Sequence, residues 1–156
     1  MFKLRFVILI LSLLTLDLAS KAFAETALIY GQSEHTILPF IDLLLIYNSG
    51  IAFGIFNSAN AYSSYILLVI TIMISLYLLW MIVNESNVMK KYALSIITAG
   101  AFGNIIDRAI DNKVTDFLHL EMFNFSFFIF NFADAFITIG AILIIYFEIV
   151  HKLNNE

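Results

Sequence analysis

The sequence predicts an all-α membrane protein of four transmembrane helices, with a small β-like interfacial element between the first and second. Three observations lead there. The 156-residue chain is 62% hydrophobic and only 13% charged, against about 25% charged residues in soluble domains. Its mean hydropathy is +0.94. Its apolar residues fall in long uncharged runs, as bilayer spans of about 20 residues require. The length suits one integral membrane domain over 1–156, with helices at about 4–24, 65–83, 92–110 and 131–150 and the interfacial element at about 25–62.

The first helix starts behind Lys3 and Arg5 and runs through an apolar stretch from Phe6 to Leu16. Ala22-Phe23-Ala24 resembles a cleavage site. Asp17, however, interrupts the apolar region, and on a helix it shares a face with Ser20 and Lys21. This favours a retained membrane helix with a polar edge at its outer end.

Residues 25–62 hold Glu25, Glu34, Asp42 and the single proline, Pro39, but no lysine or arginine. The stretch is too polar to span and too apolar to float free. Ile41 to Ile46 reads as a short strand or interfacial segment that leads into Tyr47 to Gly54, the region forming a small sheet or lid on the membrane surface. Tyr65 to Val83 carries no charge and is the clearest span. After Asn84-Glu85-Ser86-Asn87 and Lys90-Lys91, Tyr92 to Ile106 is again uncharged. Ala99, Gly100, Ala101 and Gly103 near its end allow close helix approach. The last span follows Asn131, with Asp134 near its start and Glu148 near its end.

Four spans put Lys3, Arg5, Lys90, Lys91 and Lys152 on one side. The positive-inside bias makes that side cytoplasmic, with both termini there. Asp17, Asn48, Asp107, Asp116 and Asp134 then gather at the opposite, periplasmic face. Ionisable groups at such positions are functional candidates, each to be matched with a partner.

Composition narrows the chemistry. With no cysteine, disulfides and thiol nucleophiles are excluded. His35, His119 and His151 show no metal-ligand spacing. No strongly basic surface is expected, so nucleic acid is excluded as a partner. The window Gly103–Asp134 concentrates four aspartates and Arg108 in otherwise apolar sequence. Two carboxyls held close share a proton, so that one acts as base and the other as acid. Asp116 and Asp134, each beside phenylalanines, are the pair with that potential, and the chemistry needs no metal and no cofactor. Asp107 shares a helical face with Asn104 and Arg108, a scaffold arrangement. Asp42 reads as a solvated loop residue, Asp111 as an exposed turn and His119 as an interfacial polar group. The residues by themselves leave a proton-coupled carrier and a non-catalytic assembly subunit open beside a hydrolase.

Five blocks then carry a resemblance over nearly the whole chain. Asp17-Leu18-Ala19-Ser20-Lys21 is similar to Asp-Gln-x-Ser/Thr-Lys, with Leu18 in place of glutamine. Asn48-Ser49-Gly50-Ile51-Ala52-Phe53 is similar to Asn-x-Gly-x-Ala-Phe. Gly103-Asn104-Ile105-Ile106-Asp107-Arg108 matches Gly-Asn-x-x-Asp-Arg. Val114-Thr115-Asp116-Phe117 is similar to Val-Val-Asp-Phe, and Phe130-Asn131-Phe132-Ala133-Asp134 matches Phe-Asn-x-Ala-Asp. Phe127-Phe128-Ile129 replaces a proline often found before the last block. In this order the blocks resemble the lipoprotein signal peptidases (signal peptidase II). The resemblance implies a bacterial inner-membrane aspartic endopeptidase that removes signal peptides from diacylglyceryl-modified prolipoproteins, cutting before the lipidated cysteine. It implies Asp116 and Asp134 as catalytic residues. Asn48, Asn104, Arg108 and Asn131 would hold substrate or support the dyad, and Asp17 and Asp107 would be supports. Membrane lipid and the prolipoprotein are the implied partners, and a monomer suffices.

Overall fold

In a computed structural model, which describes residues 3–50, 61–122 and 125–153, the chain forms four long helices and one small sheet. In chain order these are α1 (Leu4–Ala27), β1 (Ser33–Glu34), β2 (Ile41–Asn48), α2 (Ala61–Asn84), α3 (Val88–Asp111), β3 (Val114–Met122), β4 (Phe125–Phe130) and α4 (Phe132–Leu153). All four helices are long and apolar enough to cross a membrane. A 24-residue helix such as α1 extends about 36 Å at 1.5 Å per residue, enough for a hydrocarbon core of about 30 Å. Residues 51–54 of the expected lid lie outside the described residues.

The helices divide the work of facing lipid and facing protein. In α1, α2 and α4 only 22%, 17% and 11% of the apolar window is buried, against 50% in α3. Large side chains such as Ile8, Leu11, Ile66, Val69, Met73, Ile142 and Ile145 are exposed, a surface too apolar for water and suited to lipid. The least hydrophobic span, α3, is the central one, packed against α1, α2 and α4. It can therefore carry buried Ser95, Thr98 and Asn104 without presenting them to lipid. The hydroxyls of Ser95 and Thr98 return a hydrogen bond to the carbonyls one turn back, at Lys91 and Leu94 (both 2.8 Å). Ile10, Leu78, Ile82, Leu94 and Ala99 form the apolar core between α1, α2 and α3.

Contact between α3 and α4 depends on Gly100. A Cβ there would meet the backbone carbonyl oxygen of Ala133 and lie 2.9 Å from Ile137 Cγ1. Asn87 starts α3 as an N-cap, its side-chain oxygen accepting from Met89 N (2.8 Å) and Lys90 N (3.3 Å). Asn112 ends it in the left-handed region at φ 57°, where asparagine is tolerated better than most residues.

The sheet is antiparallel in the order β1-β2-β3-β4. It is assembled from two separate connections, α1 to α2 and α3 to α4. The sequence places a β-like element only between the first and second helices; strands β3 and β4, between α3 and α4, are a finding of the structure. The sheet also corrects the reading of Asp42 as a solvated loop residue. Asp42 lies in β2 directly opposite His119, because strand pairing covers a side chain that local sequence leaves in water. A register shift between Leu43 and Ile46 sets Ile46 opposite Asp116 and Asn48 opposite Val114. Leu45, Phe117, Ala24 and Leu28 bury the sheet against the end of α1.

Candidate active site

Successive spans alternate in direction. The end of α1, the end of α3, the start of α4 and the sheet therefore meet at one end of the bundle. Asp116 is delivered by β3 and is 3% exposed. Asp134 stands in the first turn of α4. Asn131, immediately before that helix, is fully buried and touches both. Its Nδ2 donates to Asp116 Oδ1 at 2.7 Å, and its Oδ1 accepts from Asp134 N at 3.0 Å. Asp134 Oδ2 accepts in return from Asn131 N at 3.3 Å, a reciprocal capping arrangement at the helix start. Asn104 Nδ2 donates to Asp134 Oδ1 at 2.9 Å, and Asn48 Nδ2 to Asp116 Oδ2 at 3.0 Å.

A cavity of about 750 Å³ opens over both carboxylates. Asn48, Asn104, Arg108, Asp116 and Asp134 form its polar floor; Leu67 and Thr71 of α2 and Ile137 and Ile139 of α4 are among its mainly apolar walls. Arg108 donates to the Gly50 carbonyl at 3.1 Å. Its Nε is buried without a hydrogen-bond partner among the described residues. Its charge acts on Asp134, Asp116 and Asp107.

Burial pushes the Asp116 carboxyl up to about 7, and the nearby Asp134 charge pushes it the same way. The amides of Asn48 and Asn131, and the charge of Lys21, act in the opposite sense by favouring the ionised form.

Asp17 and Asp107 do not line the cavity. They flank Lys21, whose Nζ lies 2.8 Å from Asp17 Oδ2 and 2.9 Å from Asp107 Oδ2 and donates to Asn104 Oδ1 at 3.1 Å. Asp17 Oδ1 also accepts from Ala133 N at 2.8 Å, and Asp107 Oδ2 from Thr115 N at 3.2 Å. These residues therefore hold the backbone beside Asp134 and Asp116. Lys21 is the member the sequence reading left out of the site, although its i, i+4 spacing from Asp17 was a visible signal. Thr115, the departure from the second valine, donates to Glu25 Oε1 at 2.7 Å, so a polar side chain there is matched by a polar partner on α1.

The fold and this site together define a multi-pass membrane protein with a carboxylate-bearing cavity at one end of its bundle. Residues 9–150 match the family model described as signal peptidase (SPase) II. The chain is 36% identical over 155 residues to a lipoprotein signal peptidase of Neisseria meningitidis, covering 99% of this chain and 94% of that one. It is 40% identical over 124 residues to a lipoprotein signal peptidase of Pelagibacter ubique, covering 77% and 73%. Among solved structures it is similar to a bacterial membrane enzyme determined by the in meso method at 2.3 Å, with TM-score 0.88 and 30% identity over 99% of this chain and 93% of that one. A second such enzyme, at 1.9 Å, gives TM-score 0.83 and 29% identity over 93% and 92%. The chain belongs to the signal peptidase II family, and it is a peptidase.

Proposed function

We propose that this protein removes the signal peptide from diacylglyceryl-modified prolipoproteins, cutting before the lipidated cysteine, as an aspartic endopeptidase. The observation that carries the reading is the common cavity of Asp116 and Asp134, with Asn131 hydrogen-bonded to both. Water between the two carboxyls attacks the scissile carbonyl carbon and gives its proton to Asp134. Asp116, in its protonated form, gives its proton to the carbonyl oxygen. Collapse of the resulting gem-diol breaks the C–N bond: Asp134 gives its proton to the leaving amine nitrogen, and a diol hydroxyl returns its proton to Asp116 as the carbonyl re-forms, which restores the one shared proton.

The remaining polar groups have parts in this scheme. Asn48 and Asn131 orient Asp116, and Asn104 orients Asp134. Arg108 stands at the cavity floor to receive a substrate carbonyl. The apolar walls from α2 and α4 suit the lipid-bearing end of the substrate, which reaches the site by diffusion in the membrane plane. Both termini are cytoplasmic and the cavity faces the periplasm of the inner membrane, in keeping with Lys3, Arg5, Lys90, Lys91 and Lys152 at the other end. One chain supplies every group in the scheme.

Protein in detergent is incubated with a diacylglyceryl-modified prolipoprotein and followed by a mobility shift. The native chain produces the shift; Asp116→Asn and Asp134→Asn insert normally and do not. Near-native processing by either variant overturns the dyad.

A further inference from the structure

The sheet assembles a second polar cluster, on the face of β3 opposite Asp116. Side chains alternate along a strand, so His119 and Glu121 point away from the cavity that Asp116 lines. Across the strand pair, Asp42 of β2 is the direct neighbour of His119. One donor atom from each of Asp42, His119 and Glu121 lies within 4.8 Å of the others.

His119 is the informative member. It is 6% exposed, and its Nδ1 has no hydrogen-bond partner among the described residues. Glu121 Oε2 lies 3.8 Å from that nitrogen. The other ring nitrogen, Nε2, lies 2.7 Å from Ser126 Oγ on β4. When Nε2–H donates to that hydroxyl, Nδ1 keeps a bare lone pair beside Glu121 Oε2. Three electron-pair donors then converge with no hydrogen between them. This is the arrangement of a metal-binding histidine whose far N–H is anchored by an outer partner. Asp42 is itself oriented, its Oδ2 lying 3.0 Å from His35 Nδ1 and its Oδ1 accepting from Thr36 N at 3.4 Å.

We infer that Asp42, His119 and Glu121 bind a divalent cation of the zinc class, clipping β2 to β3 on the back of the strand that carries Asp116. One imidazole among two carboxylates favours zinc over magnesium or calcium, which prefer oxygen-only cages. Water completes the coordination shell. His35, 89% exposed in its side chain, stays outside it as the partner of Asp42. The clip takes no part in peptide hydrolysis.

The test uses full-length protein in detergent, free of any histidine tag and stripped with chelator. It is titrated with Co²⁺, read by its ligand-field absorption, and then with Zn²⁺ in competition. The native chain binds one equivalent. Asp134→Asn binds equally well, and His35→Ala, which removes only an outer partner of Asp42, weakens binding less than loss of a ligand does. Asp42→Asn, Glu121→Gln and His119→Ala each weaken binding by more than ~100-fold. Zn²⁺ raises the melting temperature of the native chain but not of Glu121→Gln, a change at a partly exposed side chain that leaves the fold intact. Absence of stoichiometric binding in the native chain, or equal binding in the three ligand variants, overturns the site. No step reads hydrolysis, so this assignment and the peptidase assignment fail separately.

Discussion

Asn131 Nδ2 lies 2.7 Å from Asp116 Oδ1, and the same side chain accepts the backbone N–H of Asp134. One amide thus fixes a strand residue relative to the first turn of a helix. Its removal leaves both aspartates present but unregistered, and misplacement by about 1 Å can cost about 10²-fold in rate. Asn131→Ala is expected to lower kcat on a lipidated prolipoprotein about 10²-fold or more while the protein stays folded. Single-turnover cleavage in detergent checks this.

The carboxyl of Asp116 carries a stability signature. Its folded pKa of about 7 lies above the unfolded value of 3.8. Between those values the folded state holds more protons than the unfolded state. Stability from this group is therefore full below pH 4, declines as pH rises, and is lost above pH 7. The change across that window is on the order of a few kcal/mol. Melting temperatures of the native chain and Asp116→Asn, measured from pH 4 to 8, are expected to show this fall only in the native chain.

A related expectation concerns rate. If Asp116 acts as the acid, activity declines on the alkaline side as it deprotonates near 7. Asn48 donates to the ionised form, so its loss makes that form harder to reach. Asn48→Ala should move the alkaline limb of the kcat profile to higher pH. A limb that stays in place would assign that titration to another group.

Lys21 is a buried cation between two carboxylates. Removing one partner of a buried ion pair costs about 3–5 kcal/mol, because the remaining charge is left uncompensated. Lys21→Met is expected to destabilise the protein by that order, seen as a lower melting temperature in detergent. Activity falls with it, since Asp17 and Asp107 hold the backbone beside the two cavity aspartates.

At Gly100, a Cβ would collide with the Ala133 carbonyl, which belongs to the backbone and cannot rotate aside. Gly100→Ala should cost about 1–3 kcal/mol by overpacking and displace the adjoining Asp134. Melting temperature and cleavage rate are expected to drop together.

The helical frame was legible because each span is a long uncharged run, and the bilayer admits few alternatives for such runs. The polar blocks were legible as interruptions of those runs. The hairpin of β3 and β4 was harder to see. Phe125–Phe130 is almost uniformly apolar and so shows no period, while the alternation of Leu118, Leu120 and Met122 with His119 and Glu121 was present but short. The meeting of Asp42 with His119 was out of reach altogether. It depends on the irregular register between Leu43 and Ile46, and a one-residue slip would turn a side chain to the opposite face. Lys21 was overlooked for a different reason. Its local partner Asp17 was in view, but Asn104 and Asp107 join it only when α1 packs on α3.

Strand β2 is synthesised long before β3, its partner in the sheet. A chain still leaving the ribosome therefore exposes an unpaired edge until its third span has entered the bilayer. Asn48 must wait for Asp116, and Lys21 for Asn104 and Asp107. Asn131 and Asp134 arrive last of all. No half-built copy holds the complete constellation, so under the proposed chemistry a nascent molecule is harmless to neighbouring secretory precursors until synthesis is nearly done.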